Sequence, residues 1–399
     1  MKSPFSLGHV PSLVLGASAL LAQTSPLRTA ATGTSLPMAR IYVTHYNLLT
    51  APNTPEIVAY DADSSGRLTP IPGGPWPGIV DGTTGTYLFA NDFNQQNVMS
   101  YEVDSTGALR KVANYNVTNR APAGCENREA FQDFTLDHTG ATLYATGTGY
   151  TGEGDCITNV VTQSYKINKA DGDLTYLGEI SDSSLNLLST PSFAGNNLLA
   201  FAGTVKGITA FQRESNGMLV EGLSTVPQPI GAPAGMTYWV YNTAADPDGH
   251  LAIYLFPKQQ SGSAVLAAYT THSNGDATTT NTFDEMPVII PNVLYGGGSF
   301  SMQMSPSGKL LAVSNSGGLR VYHFNGANPI TLYATLAGDS NNITNVAWDN
   351  SNHLYATGSG GNKLYVFTVT ATGYSQAPGS PYTLTDPQNI VVRSIAPQQ

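Results

Sequence analysis

Ionisable groups are scarce in this chain, so the places where they gather stand out. Charged residues make up 11% of 399, and the densest group lies in Asn119-Arg-Ala-Pro-Ala-Gly-Cys-Glu-Asn-Arg-Glu-Ala130. Arg120, Glu126, Arg128 and Glu129 are followed there by Gln132 and Asp133. As catalytic groups, Arg128 could hold a carboxylate or polarise a carbonyl while Glu129 acts as general base to water. Arg120, Gln132 and Asp133 would then line the substrate site, with Asp92 of Asn91-Asp-Phe-Asn94 joining them. The plainer reading is Arg–Glu pairing on a surface loop.

Two cysteines share this neighbourhood, Cys125 in the charged loop and Cys156 in Tyr150-Thr-Gly-Glu-Gly-Asp-Cys156. In an oxidising compartment they are expected to form a disulfide, worth roughly 3–4 kcal/mol in the chain-entropy treatment; two free thiols are the alternative. No close His or third Cys completes a zinc site. Asp246-Pro-Asp-Gly249 and Asp171-Gly-Asp173 fit turns better than Ca²⁺ loops, and Tyr295-Gly-Gly-Gly298 lacks the helix and Lys of a phosphate cradle. No metal or cofactor is expected.

The elements that must position these residues are repeats. An apolar core recurs as Ile41-Tyr-Val-Thr44, Tyr87-Leu-Phe-Ala90, Leu143-Tyr-Ala-Thr146, Leu198-Leu-Ala-Phe201, Leu251-Ala-Ile-Tyr254, Leu310-Leu-Ala-Val313 and Leu354-Tyr-Ala-Thr357. A polar Gly-bearing hairpin follows each copy, as in Asp63-Ser-Ser-Gly66 and Asp104-Ser-Thr-Gly107. Gly supplies the positive φ of such turns, and Asp or Ser bonds back to the turn backbone. A third marker, including Asp81-Gly-Thr-Thr-Gly85 and Asp137-His-Thr-Gly140, precedes six of the seven cores as a turn. The missing first strand is found at the other end, in Asn389-Ile-Val-Val-Arg-Ser-Ile395.

The expected fold is therefore all-β: a seven-bladed propeller over residues 40–399, with four-stranded antiparallel blades. The C-terminal strand completes the first blade, and closure removes the open sheet edges. Residues 1–22 read as a signal peptide, with Lys2 ahead of an apolar stretch, and 23–39 as a flexible linker. The mature chain is expected to be secreted or periplasmic and monomeric. A net charge of −10 without a basic stripe excludes nucleic acid and anionic lipid, and no later apolar run reaches the roughly 18 residues of a membrane span.

Tyr60-Asp-Ala-Asp-Ser-Ser-Gly-Arg-Leu-Thr-Pro-Ile-Pro-Gly-Gly-Pro75, Ser305-Pro-Ser-Gly-Lys-Leu-Leu311 and the echo Ala377-Pro-Gly-Ser-Pro381 resemble the lactonase-type seven-bladed propellers, the 6-phosphogluconolactonase and carboxymuconate cyclase-like family. The resemblance covers roughly residues 40–397 and implies hydrolysis of a small sugar-acid lactone. Its members often carry a His at the start of an inner strand. In this chain that register, counted back from each turn, falls on Pro77, Gln132, Leu187, Tyr241, Phe300 and Thr344, and none is His. A non-catalytic carbohydrate- or protein-binding propeller is therefore the alternative. His45, after the first strand core, faces the expected site, and Trp239, Tyr238 and Tyr241, which begin an inner strand, could stack on a sugar or pack between blades.

Overall fold

A computed structural model describes residues 37–46, 54–92, 97–116, 127–151, 160–181, 189–204, 206–226, 229–258, 262–290, 301–315, 317–338 and 342–395. The expected signal segment lies outside them. Residues 36–399 form one compact unit. It is a seven-bladed β-propeller of antiparallel sheets. In each blade the first strand lies innermost and the next three follow outward.

Blade one is shared between the chain ends. Its inner strand, Pro387–Ser394, pairs with Ala39–Tyr46, followed by Pro55–Ala62 and Leu68–Pro70. Arg40 faces Arg393 and Tyr42 faces Val391 across the closing ladder. The other inner strands are Ile79–Thr84, Asn127–Leu136, Ser192–Ala194, Tyr238–Ala245, Ser301–Met304 and Ile343–Trp348. Outer strands are broken in blades one, five and seven. The Pro-Gly-Gly-Pro segment and its echo mark two of those breaks, between Leu68–Pro70 and Trp76–Pro77 and between Tyr374–Gln376 and Tyr382–Thr383.

Second strands are buried on both faces, which is why they read as continuous apolar runs rather than alternating ones. Their side chains fill seven apolar clusters, one at each blade–blade boundary. Ile41, Val43 and Ile390 of blade one meet Tyr355, Leu364 and Val366 of blade seven at the seam. Tyrosines tie neighbouring blades as well. The Tyr42 hydroxyl donates to Gly107 O at 3.0 Å, and that of Tyr144 to Gly217 O at 2.7 Å.

Two local readings need correction. Asp81-Gly-Thr-Thr-Gly85 is not a turn alone, because Ile79–Thr84 is itself the inner strand of blade two and joins Tyr87–Asn91 through only Gly85 and Thr86. Leu198, taken as the start of the fourth apolar core, lies in a turn and is 56% exposed; its strand begins at Leu199.

Candidate functional site in the central channel

The inner strands are not regular ladders. Among the described residues, five of the seven carry an extra residue opposite the second strand. The extra residue is Asp81 in blade two, Gln132 in blade three, Tyr241 in blade five and Thr344 in blade seven; in blade one it falls at Gln388 and Asn389. A bulge of this kind leaves one residue unpaired and re-aims its side chain. Hydroxyls of the preceding blade take up freed backbone groups: Val80 N donates to Thr44 Oγ1 at 2.8 Å, and Thr357 Oγ1 donates to Gln388 O at 2.5 Å.

Asp81, Tyr241, Thr344, Gln388 and Asn389 of these bulges line a central channel of about 1130 Å³. Blades two to five contribute Asp81, Asp133, Ser192, Tyr241 and Asn242 to its wall. Ser301, Gln303, Asn345, Gln388 and Asn389 complete the circuit. Hydrogen bonds order this lining. Ser301 Oγ donates to Asn345 Oδ1 at 3.1 Å, Thr243 Oγ1 to Ser192 Oγ at 3.2 Å, and Gln388 Nε2 to Asp386 Oδ1 at 2.6 Å. His138, in the turn after the inner strand of blade three, also lines the channel, with Nε2 3.1 Å from Phe193 O.

Two carboxyls share the wall. Asp81 accepts from Asn389 Nδ2 at 2.7 Å and from Asn91 Nδ2 at 2.8 Å. Burial holds the Asp81 carboxyl well above the usual carboxylate range; the neighbouring charge of Asp133 pushes the same way, and the two amides oppose them. Asp133 opens on the channel yet is walled by protein on its other sides, and that burial raises it too. Burial and the nearby Asp133 thus favour the protonated form of Asp81, and burial favours that of Asp133.

Of the residues singled out from sequence, Asp133 and Tyr241 stand in this wall. Trp239 is partly buried and stacks on Phe256, with ring centroids 6.4 Å apart, between blades five and six. His45 Nε2 lies 3.8 Å from Glu56 Oε2, and burial lowers its pKa. Asp92 accepts from the backbone N–H of Asn97 at 3.2 Å and orders its own hairpin. Arg128, Glu129 and Gln132 lie on the inner strand of blade three, where Arg128 pairs with Tyr150 and Glu129 with Gly149; their side chains fall outside the described residues. So do Arg120, Cys125 and Cys156 entirely. Sequence reasoning missed Asp81. Counting back from the turn Gly reaches the bulge in blades three, five and seven, but the shorter turn of blade two carries the same count to Pro77.

No family model matches the chain, and no curated protein does. Solved structures do match. A protein from Lactobacillus plantarum superposes with TM-score 0.62 at 12% identity, covering 89% of this chain and 99% of its own. The periplasmic gluconolactonase of Pseudomonas aeruginosa gives 0.60 at 12%, with 90% and 99% coverage. A Bacteroides uniformis protein, provisionally assigned as a 6-phosphogluconolactonase, gives 0.59 at 15%, with 89% and 99% coverage. At these identities the likeness establishes a shared fold.

Proposed function

We propose that this protein is an exported lactonase-like propeller that opens an uncharged sugar lactone in its central channel. The observation that carries the reading is the pair Asp81 and Asp133 in a wall whose other polar side chains are mainly amides and hydroxyls. Such a lining suits a polyhydroxylated ligand, since each amide or hydroxyl can exchange hydrogen bonds with a sugar hydroxyl. Two acids disfavour a phosphorylated one. The shared fold with the Pseudomonas gluconolactonase supports the choice of lactone, and the leader-like N-terminus supports export.

Chemically, the pair can divide the work of hydrolysis. Ionised Asp133 takes a proton from water as the water oxygen bonds to the lactone carbonyl carbon. Asp81, holding its proton, gives it to the ring oxygen as the carbon–oxygen bond breaks. The products are a hydroxy acid and the same carboxyl pair with its proton moved across; exchange with solvent resets it. The product then ionises, and repulsion from the acidic wall favours its release. Arg128 and Glu129, at the other end of the Asp133 strand, belong in this proposal to the mouth through which substrate arrives.

The test is acid release from a panel of unphosphorylated aldonolactones, with wild type and Asp133→Asn. Turnover above the spontaneous rate that falls by about a hundredfold or more in the variant is expected. Saturable sugar binding without turnover on any lactone would replace this reading with that of a carbohydrate-binding propeller.

A further inference from the structure

Tyr241 is the aromatic side chain among the bulged residues of the channel wall. Its neighbour in sequence, Asn242, pairs with Tyr254, while Val240 pairs with Leu255, so Tyr241 is the extra residue of the bulge. Tyr241 is 37% exposed as a residue and lines the channel. Other rings pack against it. Phe256 lies 5.1 Å away by centroid, tilted at 39°, and Tyr254 lies 6.3 Å away, edge-on at 86°. Phe256 is in turn stacked on Trp239. A side chain braced in this way presents one fixed flat face at little entropic cost.

The rest of the wall supplies complementary chemistry. Asn242 lines the same channel, in which Asp81 and Asp133 stand on blades two and three. A ligand resting on Tyr241 therefore needs an apolar face for the ring and hydroxyls around its rim for the carboxyls and amides. A six-membered sugar ring has both, since its axial C–H bonds make one patch while its equatorial hydroxyls point outward. Acyl chains lack the rim, and phosphorylated rings bring charge against the acids. We propose that Tyr241 is the platform on which an unphosphorylated pyranoid ring lies in this channel. The inference rests on the proposed lactone site but concerns binding, so it can fail separately.

The probe is D-glucono-δ-lactam, a ring-closed analogue that resists opening, measured by calorimetric titration. Wild type should bind it saturably. Tyr241→Phe, which keeps the ring, should stay within about twofold, whereas Tyr241→Leu should weaken binding by roughly tenfold. Thermal melts of both Tyr241 variants check that the blade is intact, and Tyr241→Phe keeps the comparison valid if Tyr241→Leu does not fold: a more than tenfold loss in the folded Phe variant overturns stacking as the basis of binding. Equal affinity of wild type and folded Tyr241→Leu overturns the platform while leaving the carboxyl pair untouched. Tyr241-dependent lactam binding with no turnover of any lactone upholds the platform and overturns the pair. No lactam binding by wild type overturns the platform.

Discussion

Asp81 carries a pH-dependent cost in stability that follows from its place in the channel wall. Its carboxyl is held above the usual range by burial first and by Asp133 second, so the folded chain keeps that proton to higher pH than the unfolded chain does. The contribution of this group to stability is complete below the ordinary carboxylate range and is lost as pH rises through its folded-state pKa. Asp133 is raised in the same direction. Asp81→Asn removes the charge that must otherwise appear in the wall, and the buried Asn91 Oδ1, which has no hydrogen-bond partner, offers an acceptor to the new amide. Melting curves at about pH 5 and about pH 8 should show wild type losing more on the alkaline side than Asp81→Asn does. Parallel losses would show that Asp81 does not titrate in that interval.

At the scale of the strand, the bulge decides which side chains reach the channel. This was partly legible in sequence: the position counted back from the turn Gly coincides with the bulged Gln132, Tyr241 and Thr344. Repeat spacing finds such a register because each blade solves the same steric problem. It fails in blade two, where a two-residue turn replaces the Asp-x-x-Gly turn and shifts the count past Asp81. The choice between Trp239 and Tyr241 was not legible, because adjacent strand residues point to opposite sides and an extra residue reverses the alternation. Gly203 tests how tightly the inner strand of blade five is held. A Cβ there would lie 2.0 Å from Val240 O, next to the Tyr241 bulge, so only Gly permits the approach of the two blades. Gly203→Ala should destabilise by about 1–3 kcal/mol in urea unfolding and weaken ligand binding through displacement of Tyr241. An unchanged midpoint would mean that the boundary yields without strain.

The channel exists only because the whole ring closes. Seven copies of a strand core and hairpin made the blade number readable, and the unpaired first core pointed to the C-terminus for its inner strand. Pro387–Ser394 fills that place and brings Gln388 and Asn389 to the wall, with Asn389 bonded to Asp81 across the blade boundary. Repetition made the architecture legible; the site was less so, because it is assembled from single residues on inner strands far apart in sequence, whereas the sequence drew attention to one charged loop. The two locations make different demands on the same assay. The most direct test is the initial rate of D-glucono-δ-lactone opening, above the spontaneous rate, for wild type, Asp81→Asn and Glu129→Gln measured side by side. Loss of turnover in Asp81→Asn with turnover largely kept in Glu129→Gln is the expected result; the reverse pattern would contradict a channel-wall carboxyl pair as the catalytic centre.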